Sequence, residues 1–79
     1  MGDIKQLIGN RIRSLRQEAS YSQEVLAHRS SLDRTYINSV ENGHRNISIV
    51  NLEKIASALD VSLAEFFGTS AFEEVPHDE

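Results

Sequence analysis

The chain has no cysteine and no tryptophan, and among its 79 residues there are one proline, one methionine and four glycines. Without thiols there is no disulfide and no thiolate metal site, so stability has to come from packing. The length supports one domain, close to the lower limit for a self-sufficient core, and pairing of two copies would help it. No apolar run approaches the length of a membrane-spanning helix, and the N-terminus lacks the apolar segment of a signal peptide. The cytoplasm is therefore the expected location. Lysine is scarce: Lys5 and Lys54 are the only two, and arginine supplies the rest of the 8 basic residues.

Catalytic chemistry is also missing. His28, His44 and His77 have no metal-ligand spacing. No serine lies in a nucleophile elbow, and no glycine-rich phosphate loop is present. Glu24, Glu41 and Glu53 each have an ordinary structural role open to them. The reading is therefore of a protein that is not an enzyme and needs neither cofactor nor metal. The net charge of −4 argues at first against a nucleic-acid partner. The excess acid is local, however: Glu73, Glu74, Asp78 and Glu79 sit at the C-terminal end, and without them acid and base balance. A balanced body can carry a positive face.

The residues that are present read as an all-α protein. Asp3 can cap a first helix reaching about Ala19, with Ile4, Ile8, Ile12 and Leu15 on one face and Leu7 widening it. Gly9 costs that helix about 1 kcal/mol against alanine; it either admits a close neighbour or is neutral. Arg11 lies near the apolar arc and is expected to carry its charge to the edge. Arg13 lies on the outer side and Arg16 flanks the buried face.

The informative stretch runs from Tyr21 to Asn46. Ser22 is a good N-cap, with Tyr21 and Leu26 at the spacing of a hydrophobic staple. Arg29 to Leu32 breaks the pattern as a turn. Asp33 caps a second short helix, which Gly43 ends. On that helix Asp33, Ile37, Val40 and Glu41 share one side. Arg34, Thr35, Asn38, Ser39 and Asn42 share the other, a row of short hydrogen-bonding groups led by an arginine. Such a face is either an ordinary polar surface or a reader of base edges in a DNA major groove, which admits one helix.

Ser22-Gln23-Glu24, Ile37 and Val40-Glu41-Asn42-Gly43, with Ile12-Arg13 and Leu15-Arg16 upstream and Leu52, Ile55-Ala56, Ala58-Leu59 and Phe66-Phe67 downstream, resemble the lambda-repressor and Cro class of helix-turn-helix regulators, the Xre-like proteins. The likeness extends from about Ile8 to Phe67. Within that class, Leu32-Asp33-Arg34-Thr35-Tyr36-Ile37 followed by Arg45-Asn46-Ile47-Ser48 is similar to the controller proteins of restriction–modification systems. The resemblance implies a compact five-helix lambda-repressor-like DNA-binding domain. It implies a structural ion pair between Arg16 and Glu41. It also implies a left-handed backbone at Ser31, where related chains often have glycine, at a cost of about 1 kcal/mol. Ser30 or Ser31 can offset that cost through a side-chain hydrogen bond.

Downstream, Ile47 anchors the loop and Ser48 caps a helix from Ile49 to about Leu59, whose apolar set is Val50 or Ile49 with Leu52, Ile55, Ala56 and Leu59. Asp60 ends it where glycine is common. Ser62 and Glu65 form a capping box opening a fifth helix with Leu63, Phe66 and Phe67. Those three apolar groups either fold inward or form the interface of a two-fold dimer; the class often dimerises there. The domain is expected over 1–68, with 69–79 an acidic, frayed tail in which Phe72 and Val75 can pack locally or on a partner subunit.

The expected mechanism is a homodimer on a near-palindromic double-stranded DNA operator. Arg34, Thr35 and Ser39 are the candidates for base contacts. Gln23, Tyr36, Asn38, Asn42, Arg45, Asn46, Ser48 and Asn51 are the candidates for backbone or groove contacts. Tyr36 has simple packing as its alternative, Ser48 simple capping, and Arg45 a minor-groove contact. The controller resemblance adds RNA polymerase as a further partner. The alternatives are a phage-type or toxin–antitoxin Xre repressor, and an interaction adaptor that keeps the fold without binding DNA.

Overall fold

Each of the first five helices begins where a short polar side chain can hold its free N–H groups. In the computed structural model, which describes residues 3–73, these helices are α1 (Ile4–Glu18), α2 (Gln23–Ser30), α3 (Arg34–Glu41), α4 (Ile49–Ala58) and α5 (Leu63–Phe67). A single 3-10 turn, Ser70–Phe72, follows. Asp3 accepts from the Lys5 N–H, Ser22 from Val25, Ser48 from Asn51 and Ser62 from Glu65. The Ser62–Glu65 pair is reciprocal, as the capping box requires. Asp33 differs from expectation: it occupies the cap position of α3, but its carboxylate makes no cap hydrogen bond.

No strand occurs among the described residues, and none of their helices is long and apolar enough to cross a membrane. Helix α1 packs on α3, α2 on α3 and α4, and α5 on α4. The centre of the core is Ile12, Leu26, Ile37, Ile55 and Phe66, all without solvent access. Val40, Leu52, Leu59 and three alanines (Ala27, Ala56 and Ala58) complete it. Burial of these side chains, at roughly 1.5–3 kcal/mol for each large one, is the main stabilising contribution.

Several expectations are corrected here. Ile4 is 56% exposed, so the apolar face of α1 begins in earnest at Ile8. Ile49 and Val50 are 79% and 62% exposed and neither joins the core. They lie in the first turn of α4, whereas Leu52 and Ile55 further along it are buried. Phe66 is core rather than interface, since its own protomer buries it completely; Leu63 and Phe67 remain 38% exposed. Beyond residue 68 the local packing expected of Phe72 is present. Phe72 is half-buried and its ring lies 4.9 Å from that of Phe67 and 6.3 Å from that of Phe66. Val75, His77 and the acidic groups after Glu73 lie outside the described residues.

Arg11 has a role that helical periodicity alone did not indicate. Its Nε donates to the Phe66 carbonyl at 2.7 Å and its Nη2 to that of Glu65 at 2.9 Å. Two carbonyls at the end of a five-residue helix are thereby satisfied from α1. Among the described residues, three non-glycine ones take left-handed backbone, Ser20, Ser31 and Asp60, following α1, α2 and α4. Ser31, at φ 59°, is the turn between α2 and α3. The neighbouring Ser30 is the last residue of α2, not part of the turn. Its buried hydroxyl donates to the Leu26 carbonyl at 2.7 Å and so finishes the helix.

Gly9 is the close approach. A Cβ there would lie 2.4 Å from the Val40 carbonyl oxygen and 2.7 Å from that of Glu41. Both are backbone atoms, so α1 and the end of α3 would have to separate. Replacing Gly9 with alanine should therefore destabilise the fold by about 1–3 kcal/mol through overpacking, although alanine is the better helix former. Ser31→Gly should act oppositely, raising stability by about 1 kcal/mol through relief of the left-handed serine. Urea denaturation of both variants checks the pair of signs; a Gly9→Ala protein as stable as wild type would refute the close-contact account.

Candidate nucleic-acid interface

Helices α2 and α3 and the Ser31 turn between them are joined tightly. The Leu32 N–H donates to the Ala27 carbonyl at 2.9 Å, which closes α2 and directs the chain into α3. The far end of α3 closes as a Schellman motif. The Gly43 N–H donates to Val40 and the His44 N–H to Ser39, each at 3.0 Å, with Gly43 at φ 76°.

Between those ends α3 is strongly two-faced. Ile37, Val40 and Glu41 are buried. Arg34, Thr35, Asn38 and Asn42 are exposed and Ser39 is half-buried. Among the described residues the side chains of Arg34, Thr35 and Ser39 make no hydrogen bond, whereas those of Asn38 and Asn42 do.

The inward charge on α3 is Glu41, with no solvent access. Arg16 meets it as a fork: Nε donates to Oε2 at 2.7 Å and Nη2 to Oε1 at 3.0 Å. Its third nitrogen donates to the Tyr21 carbonyl at 2.9 Å, which ties the α1–α2 connection to the same guanidinium. Gln23 Nε2 adds 3.1 Å to Oε1. Burial alone would push the Glu41 carboxyl up. The hydrogen bonds from Arg16, Gln23 and Arg13, with the Arg16 charge, outweigh it and hold the group below its ordinary value.

Two placements, of Arg13 and Gln23, differ from the sequence reading. Arg13 is not simply outward: its Nε reaches Glu41 Oε1 at 3.4 Å and its Nη2 donates to Asn42 Oδ1 at 2.9 Å. The spacing of three between Arg13 and Arg16 on one helix was the available signal, since such residues are neighbours on its surface. Gln23, expected to hold a phosphate, has its amide nitrogen on Glu41 and its amide oxygen accepting from Asn38 at 3.2 Å.

The exit from α3 forms a second cluster. Asn51 Nδ2 donates to the Tyr36 hydroxyl at 3.1 Å, and the Arg45 guanidinium lies 5.2 Å from the centroid of the Tyr36 ring. Tyr36, Arg45 and Asn51 are thus brought together. The Tyr36 hydroxyl keeps its own proton to donate, and cation–π contact holds Arg45 at the edge of the face. Ser48 caps α4 through its hydroxyl, and Asn46 is exposed. His28 is exposed on α2, away from this cluster in sequence.

A helix-turn-helix with an outward polar helix, held by a buried ion pair on an all-α scaffold, defines the class of helix-turn-helix DNA-binding regulators. The helix-turn-helix family model matches residues 12–66. The chain is 52% identical over 68 residues to control protein C.MunI of a Mycoplasma species, covering 85% of this chain and 92% of that one. It is 45% identical over 60 residues to control protein C.BamHI of Bacillus amyloliquefaciens, covering 75% and 74%. Among solved structures, the restriction–modification controller protein C.AhdI from Aeromonas hydrophila superposes with a TM-score of 0.77 at 48% identity, over 80% of this chain and 96% of that one. The C.Esp1396I controller tetramer, in complex with its natural 35 base-pair operator, gives 0.83 at 36% identity over 94% and 96%. The chain belongs to the helix-turn-helix family and, within it, to the restriction–modification controller proteins.

Glu41 makes this interface acid-sensitive. Its folded value lies below the ordinary 4.5, so its stabilising contribution is complete at neutral pH and is lost as pH falls through the lowered folded value. Arg16→Met, which strands the carboxylate, should destabilise the fold by about 3–5 kcal/mol. It should also flatten the acid limb, because without Arg16 burial raises the folded Glu41 value and protonating the stranded carboxylate no longer opposes folding. Urea midpoints measured from neutral to acid pH check both; a stability gap from wild type that does not narrow on acidification would contradict the assignment.

Proposed function

We propose that this regulator binds its operator as a homodimer, with α3 of each copy in successive major grooves about 34 Å apart. The observation that carries the reading is the outward strip of α3, from Arg34 to Asn42. It has no exposed acid, and its one glutamate, Glu41, is buried and paired with arginine. Arg34 is assigned to a guanine, whose O6 and N7 match the guanidinium fork. Thr35 suits a thymine methyl or a base acceptor, and Ser39, one turn along, the next step. Tyr36, Asn38, Asn42, Arg45, Asn46, Ser48, Asn51 and Gln23 are assigned to the sugar–phosphate walls, where they fix register.

Pairing is assigned to α5 through Leu63 and Phe67, large apolar groups left partly bare in one protomer. The operator-bound tetramer of C.Esp1396I supports assembly on DNA, and the control-protein relatives support a role in regulating a restriction–modification system. The target genes in that reading are the regulator's own and the linked endonuclease gene.

The test uses the chain's own upstream DNA and single-base variants of it in fluorescence anisotropy. Arg34→Ala should lose about 1–3 kcal/mol of discrimination at one base pair in each half-site while still binding the duplex. Equal wild-type affinity for operator and all variants would overturn the base-contact assignment. Phe67→Glu should shift sedimentation toward monomer and weaken operator binding together; a dimer of unchanged strength would refute the α5 interface.

A further inference from the structure

Five side chains at this interface close into a ring. Gln23 Nε2 donates to Glu41 Oε1 at 3.1 Å, and Asn38 Nδ2 donates to Gln23 Oε1 at 3.2 Å. Asn42 Nδ2 donates to Asn38 Oδ1 at 3.3 Å, and Arg13 Nη2 donates to Asn42 Oδ1 at 2.9 Å. Arg13 Nε returns to Glu41 Oε1 at 3.4 Å.

Three members are amides, which could point either way round. The other two could not: a carboxylate only accepts and a guanidinium only donates. Glu41 therefore turns the Gln23 nitrogen toward itself. That leaves the Gln23 oxygen for Asn38, the Asn38 oxygen for Asn42, and the Asn42 oxygen for Arg13. Every amide oxygen in the ring is engaged, while each amide nitrogen keeps one N–H. Asn38 and Asn42 are exposed, on the outward side of α3.

We propose that Glu41 and Arg13 are positioning residues that give this ring a single sense, so that Gln23, Asn38 and Asn42 hold fixed N–H donors toward the phosphodiester oxygens of DNA. The inference rests on the DNA-binding reading above and adds the reason these amides are set in advance. Charge-assisted hydrogen bonds at both ends strengthen the chain between them. An oriented donor loses less freedom on binding than a free one.

The decisive variant is Glu41→Gln, because two accounts predict opposite signs. Removal of a negative charge alone would tighten DNA binding. Loss of the ring's fixed sense should weaken binding to a short mixed-sequence duplex by about tenfold, the worth of one hydrogen bond to a charged group. Side-chain amide resonances of the free protein supply a second readout. Glu41→Gln should shift those of Asn38 and Asn42, although neither amide touches residue 41.

Circular dichroism establishes that the variant is folded. If it is not, Gln23→Met carries the test: it breaks the relay without changing charge and should shift the Asn42 amide, which Gln23 does not touch. Unmoved Asn42 resonances in the folded variant, or tighter duplex binding by folded Glu41→Gln, overturns the proposal. Absence of duplex binding by wild type overturns the DNA reading and the ligand assigned here; the amide resonances then decide the ring by themselves.

Discussion

A carboxylate shut away from water decides where three helices meet. Glu41 belongs to α3, Arg16 to α1 and Gln23 to α2, and the three side chains share one hydrogen-bonded centre. Burying such a charge costs several kcal/mol, and its pairing does little better than recover the loss. The contribution of the pair is therefore exclusion more than strength. Any packing that rotates α3 away from α1 strands a charge in the core, so α3 keeps one orientation. The Gly9 contact with the carbonyls of Val40 and Glu41 enforces the same junction through the backbone.

An acidic protein that binds a polyanion calls for a local argument. Screening confines surface charges to about 8–10 Å in physiological salt, so the net charge matters less than what lies within that distance of a phosphate. Between Arg34 and Asn42 the acidic side chain is internal, while Arg34 is exposed on α3 and Arg45 is exposed against the Tyr36 ring. Much of the excess acid is at the C-terminal end, distant in sequence from the strip. Asp33 is the counterweight: it is exposed at the start of α3 with no cap hydrogen bond, where the helix N-terminus offsets its charge.

Helix positions were legible because their signals are local. Ser22, Ser48 and the Ser62–Glu65 box each announce a helix start, and Gly43 announces an end. The two faces of α3 followed from its period. The Arg16–Glu41 pairing and the left-handed Ser31 were legible only through the family likeness, because neither leaves a mark in spacing or composition. What stayed hidden depends on tertiary position. Ile49 and Val50 look like core residues of an amphipathic helix, yet both are exposed and burial on α4 begins at Leu52. Arg11 reads as a flanking charge until the carbonyl end of α5 is found beside it. Phe66 and Phe67 are adjacent in sequence and opposite in fate, and a run of two aromatics does not say which one turns inward. The recognition strip was identified as a surface, but the bonds that link Asn38 and Asn42 to Gln23 and Arg13 span 15 and 29 residues of chain.

The close seat of α3 on Gly9 separates two kinds of inheritance. The contact is made by main-chain carbonyls, so it fixes where the helix lies without consulting the side chains at 34, 35 and 39. Those positions can drift while the mounting stays constant. Under the base contacts proposed above, a lineage of such proteins can then acquire new DNA addresses by exchanging a few exposed letters, as a lock is rekeyed by changing pins inside an unaltered cylinder.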